Sequence, residues 1–124
     1  MKSSKYVDGY ILTVPKKKLG DYRRMAQKAS RVWKKYGALE YFECIGDDLG
    51  LEWSTIKFPK IVKLKPGELV VFSFIVYKSR ADRDKVNAKV MSDPIMCDPN
   101  YKDKPMPFDM KRMAVGGFKV LVEG

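Results

Sequence analysis

Apolar and polar residues follow two different periods along this chain. Over residues 6–14, "YVDGYILTV" is rich in aromatic and β-branched side chains and stops at Pro15, which predicts a strand. The period then changes. Leu19, Tyr22, Met25, Ala26, Ala29, Val32, Trp33 and Tyr36 recur at spacings of three and four, so they share one face of a helix that Gly37 terminates. Trp33 and Tyr36 lie on this apolar stripe and are read as core rather than as a stacking platform. "ALEYFECIG" (38–46) and "ELVVFSFIVYK" (68–78) predict two further strands. The alternation in "IVKLK" (61–65) suggests that the third strand or a partner begins there. Ser79 opens "SRAD", a capping-box pattern, ahead of a helix over about 80–92 that Asp93-Pro94 ends. Its apolar face, Ala81, Ala88, Val90 and Met91, is the weaker of the two. A proline-rich stretch over 94–107 leads to a last strand within "AVGGFKVLV".

The order strand, helix, strand, strand, helix, strand predicts an α+β, ferredoxin-like βαββαβ domain spanning 1–124. Right-handed crossovers then give a four-stranded antiparallel sheet with both helices on one face. With helices on one side only, the strands should alternate apolar and polar. They do not. Val70, Phe72, Phe74 and Val76 oppose Val71, Ser73, Ile75 and Tyr77, and both sets are largely apolar. Both faces are therefore expected to be covered, the second by another copy of the chain, giving a homodimeric α/β barrel.

If Phe72, Phe74 and Phe118 face the helices, the opposite face carries Tyr6, Asp8, Tyr10, Tyr41, Glu43, Ser73, Tyr77 and Lys119. This arrangement would set a few polar groups in an apolar cavity between the two sheets, the usual composition of a small-molecule pocket. Asp8, Tyr10 and Glu43 are the candidate acid–base residues. Tyr41, Ser73, Arg112 and Lys119 join them as candidate ligand contacts. The competing reading has Asp8 and Glu43 pairing with Lys119, Arg112 or backbone and only setting register at the dimer seam. By the same parity Cys44 faces the helices as an inert thiol, while Cys97 lies in the proline-rich loop.

Charge and composition narrow the chemistry. The net charge of +10 comes from 25 basic and 15 acidic residues, and much of it sits on the first helix, from Lys16 to Lys35. Such a balance favours anionic encounters. The RNA-recognition motif shares this element order, and Tyr6, Tyr10, Tyr41 and Tyr77 would be its stacking residues. "VVFSFIVYK" lacks the required basic-Gly-aromatic pattern, so an RNA role remains the alternative rather than the main reading. Two cysteines and no histidine exclude a standard structural zinc site, and no metal or cofactor is expected. No apolar run approaches the roughly 20 residues of a membrane span. The start "MKSSKYVDGY" has no signal-peptide core, so a cytoplasmic protein without a membrane partner is expected.

Two segments remain. The 21 residues between the second and third strands (47–67) are long for a plain connection. Their Trp53 and Phe58 are expected to pack on the partner subunit or close over the cavity. In "DMKRMAVGGFKVLVEG" the glycine pair lies inside a strand with no helix after it, which excludes a phosphate-cradling loop. It predicts a bulge or a close approach at Gly116-Gly117, with Arg112 at the rim beside a carboxylate or an anionic ligand.

"YVDGYILTVP", "YGALEYFECIGDDL", "VVFSFIVYKSRADRDKVNAKVMSDP" and "MPFDMKRMAVGGF" resemble the YbaA-like family of uncharacterised bacterial proteins, in the family's own order and over nearly the whole chain. The resemblance implies the dimeric α/β-barrel superfamily and brings no established activity. That superfamily includes cofactor-independent monooxygenases and haem enzymes. The absence of histidine disfavours haem, and cofactor-free chemistry would rest on Asp8, Glu43 and Tyr10.

Overall fold

The computed structural model describes residues 3–96 and 106–124. Cys97 lies outside the described residues. The elements are β1 (Tyr6–Pro15), α1 (Leu19–Lys35), β2 (Glu40–Ile45), α2 (Phe58–Ile61), β3 (Glu68–Tyr77), α3 (Arg80–Met91) and β4 (Ala114–Lys119). Every strand pair is antiparallel and the strand order is β2-β3-β1-β4. This is the ferredoxin-like arrangement expected from the element order.

α1 ends as its sequence requires. Gly37 takes φ +119°, the Gly37 amide donates to Lys34 O, and the Ala38 amide donates to Trp33 O, so the last carbonyls of the helix are satisfied. Its buried residues are Tyr22, Ala26, Ala29 and Val32, and Arg23, Arg24, Lys28, Arg31, Lys34 and Lys35 are exposed around them. α3 begins on Ser79, whose hydroxyl accepts from the Asp82 amide at 3.1 Å. Its core contacts are Val86 and Val90, one turn apart, whereas Met91 is exposed.

The helices cover the face that carries Leu12, Val14, Val71, Ile75 and Tyr77. Two clusters form there: Val32, Ala38, Ile75, Tyr77, Val86 and Val90 in one, and Leu12, Val14, Tyr22, Ala26 and Val71 in the other. This inverts the parity expected from the sequence. Asp8, Tyr10, Tyr41, Glu43, Ser73 and Tyr77 lie under the helices, and Phe72, Phe74 and Phe118 lie on the open face. The physical reason is polar satisfaction. Phenols and carboxylates need partners when buried, and the helices supply them through Trp33, Asn87, Arg83 and Tyr22. Phenylalanine has no such requirement.

On the open face Phe42 stacks on Phe74 with centroids 5.0 Å apart, and Phe72 meets Phe74 at 5.8 Å. Phe72 remains 43% exposed and Phe118 61%. Cys44 pairs in register with Phe72, so it too is on this face and exposed rather than buried.

β4 pairs with β1 without interruption from Tyr6↔Lys119 to Ile11↔Ala114, so the glycine pair makes no bulge. It allows close approach on both faces. A Cβ on Gly117 would collide with the Tyr6 hydroxyl. The Phe118 ring lies over Gly9 and Gly116, which face each other in the register. "IVKLK" is not a strand. Residues Phe58–Ile61 form the short helix α2, with Pro59 in its first turn, and Lys63 turns the chain at φ +50°.

Candidate functional site

Cross-strand rows decide which polar groups can meet. One row on the helix side runs Glu43, Ser73, Tyr10, Val115 across β2, β3, β1 and β4, and the next runs Tyr41, Ile75, Asp8, Gly117. Neighbours in such a row have Cβ atoms about 5 Å apart. Lys119 falls one row further out, beside Tyr6 on the edge strand, and is exposed. It does not join Glu43.

The two candidate carboxylates have different surroundings. Asp8 is 3% exposed and has Arg83 Nη1 at 3.6 Å and Asn87 Nδ2 at 3.5 Å. Arg83 also lies over the Tyr6 ring, 4.9 Å from its centroid, and donates to the Tyr6 hydroxyl. Asn87 Oδ1 accepts from Tyr77 and from Trp33 Nε1. Burial raises the Tyr77 pKa, and the negative charge of Asp8 raises it further. Asp8 is thus the centre of a sealed network between α3 and the sheet.

Glu43 is half-buried. Its Oε2 accepts from the Tyr22 hydroxyl at 2.7 Å and its Oε1 from the Tyr41 hydroxyl at 2.9 Å. Burial raises the pKa of both phenols, and their interactions with Glu43 raise it further, so both remain neutral donors. Among the described residues no lysine or arginine forms an ion pair with Glu43. The carboxylate lines a cleft of about 280 Å³ between α1 and the edge of the sheet. Leu19, Ala26, Ile45 and Val71 supply apolar walls, and Arg23 and Gln27 supply polar groups.

The other candidates divide between these two centres. Tyr41 lines the Glu43 cleft, and buried Ser73 lies beside Glu43 in its row. Tyr10 is half-buried between the two carboxylates, and burial, then the charge of Asp8, pushes its pKa up to about 12. Arg112 is committed elsewhere. Its Nη1 and Nη2 bind both oxygens of Glu68 at 2.6 and 2.9 Å, and Nη2 also reaches Val62 O and Lys63 O. Arg112 therefore fastens the end of the 47–67 segment to β4 and does not face the Glu43 cleft.

Three participants escaped sequence reasoning. Tyr22 belongs by spacing to the apolar stripe of α1, although a tyrosine hydroxyl in a core signals a buried partner. Arg83 and Asn87 sit on the inner side of α3, one turn apart, and only the fold brings them to Asp8. Among the described residues no three His, Cys, Asp or Glu side chains are grouped to hold a metal ion, and no helix is long and apolar enough to cross a membrane.

The fold defines an α+β protein of ferredoxin-like class. A solved structure of a dimeric ferredoxin-like protein from an uncultured marine organism superimposes on it with TM-score 0.55 at 14% identity, over 95% of this chain and 94% of that one. Residues 5–110 match the family described as "Protein of unknown function (DUF1428)". The chain is 43% identical over 119 residues to "Uncharacterized protein YbaA" of Escherichia coli (strain K12), covering 96% of this chain and 98% of that protein. It is equally similar to the protein of the same name in Shigella flexneri. The chain belongs to this YbaA-like DUF1428 family of unknown function.

Proposed function

We propose that this protein is a homodimer that binds a small organic molecule in the Glu43 cleft of each subunit. Two features support the dimer. The strand positions of the open face are apolar or small apart from Thr13, Glu40 and Glu68 at strand ends, and none is a lysine or arginine; Glu68 is already paired with Arg112. A nucleic-acid strand would find aromatics there but no cation for its phosphates. A second copy of the same apolar face meets it without desolvating any cation, in a self-complementary contact. The ferredoxin-like structural neighbour is itself described as dimeric.

The ligand site thus moves from between the two sheets to the helix side of each sheet. The observation that carries it is Glu43, a carboxylate with two phenol donors, no cationic partner among the described residues, and access to a cleft. A carboxylate offers about four acceptor positions, and the phenols occupy two. Of the acid–base candidates Asp8, Tyr10 and Glu43, only Glu43 lines this cleft, so any proton transfer would fall to it first.

Crystals soaked with a mixture of small aromatic and aliphatic fragments test both parts. The expected result is fragment density against Glu43, in a two-fold dimer joined through Phe72 and Phe118. Fragments confined to other sites would overturn the binding reading. Open faces that do not meet would overturn the dimer.

A further inference from the structure

Resting on the cleft reading above, we infer that the ligand is bifunctional: a small acid with a hydroxyl or amine donor at its far end. The donor binds Glu43 at the floor and the anionic group meets Arg23 at the mouth. A two-ended ligand follows from how charge is arranged around the cleft. At the floor, both oxygens of Glu43 already accept one phenol each, so their remaining lone pairs ask for donors and repel any further anion. Leu19, Ala26, Ile45 and Val71 line the same cleft and favour a hydrocarbon or aromatic body.

At the mouth stands Arg23, exposed on α1 and in no ion pair among the described residues, although its neighbour Arg24 is paired with Asp21. A guanidinium matches a carboxylate or phosphate in a forked, bidentate geometry. The floor and the mouth are therefore opposite charges lining one cleft without an ion pair between them. An amphoteric guest satisfies both, and a simple cation or a simple anion leaves one end unmet. The field of the basic helix also draws acids toward this mouth, since Lys16, Lys17 and Lys18 precede α1 and are exposed.

Three probes of similar size separate the possibilities: 4-hydroxybenzoate carries donor and anion, benzoate only the anion, and 4-hydroxybenzylamine a donor and a cation. Amide chemical-shift titrations on the full chain report both affinity and location. The expected result is that 4-hydroxybenzoate shifts the amides of Ala26, Gln27 and Ile45 and binds about tenfold more tightly than either other probe, the ratio expected for one lost charge-assisted contact. Glu43→Gln should remove its advantage over benzoate, and Arg23→Gln its advantage over 4-hydroxybenzylamine, with spectra that otherwise retain the native dispersion. If 4-hydroxybenzylamine binds the cleft as tightly as 4-hydroxybenzoate, or Arg23→Gln changes nothing, the bifunctional inference is overturned while the cleft reading stands. If none of the three shifts the cleft amides, both are overturned.

Discussion

Asp8 and Glu43 stand on the same face of one sheet, with β3 between them, and they have come to opposite solutions of the same problem. A carboxylate taken out of water needs donors and, where burial is deep, a counter-charge. Asp8 has both, in Arg83 and Asn87, beneath α3. Glu43 has donors alone, and the space beside it is open. The difference shows why burial is a poor guide to function. The more deeply buried carboxylate is a structural element, and the one with an unmet charge and an accessible side is the candidate site.

Changes at the two centres should therefore diverge. The largest effect on stability belongs to Asp8→Ala, which takes the buried acceptor from Asn87 and Arg83, although Arg83 keeps Asp84; a loss of about 2 kcal/mol in urea unfolding is expected for removing hydrogen bonds to a buried charged group. A loss below about 1 kcal/mol would put Asp8 and Glu43 in the same class and dissolve the contrast. Tyr22→Phe removes one neutral donor from Glu43 and should cost about 1 kcal/mol. Glu43→Gln keeps an acceptor and the side-chain shape, so its cost in stability should be smaller still. Its effect on ligand affinity should nevertheless exceed that of any Asp8 variant that folds.

A third carboxylate calibrates the other two. Arg112 holds Glu68 well below the usual range, at about 2 against an unperturbed 4.5. Because the folded value is depressed, this contribution to stability is fully present above about pH 4.5 and is lost as pH falls toward about 2. Glu68→Gln should flatten that part of the stability–pH profile. An unchanged acid limb would show that the Arg112 pair contributes nothing. On the open face, Phe72→Glu should halve the mass seen by light scattering, because it places a charge in the apolar surface proposed to join two subunits. A wild-type protein that is already monomeric would remove that surface from the account.

Much of the architecture was legible because local signals agreed with one another. The three-and-four spacing from Leu19 to Tyr36, the Gly37 cap and the β-branched runs all pointed to the same element order. The side of the sheet was not legible. Both sets of residues on β3 are apolar, and pattern alone cannot say which set meets the helices. Only the demand of the phenols for partners, read in three dimensions, decides it. The grouping of Asp8, Tyr10, Tyr41, Glu43, Ser73 and Lys119 on one face was visible from strand parity. Their division into separate centres depends on registers and on Arg83, Asn87 and Tyr22, which no strand pattern contains. For the same reason Arg112, read as a rim residue, proved to be the clasp of the 47–67 segment.

The central claim is that the uncompensated carboxylate of Glu43 holds the ligand. The most direct measurement is the affinity of the best cleft-binding fragment for wild type and for Glu43→Gln, compared under one set of conditions. The account predicts a loss of about tenfold or more with the fold retained, since a charge-assisted hydrogen bond is replaced by a neutral one. Equal affinity for the two proteins would contradict it.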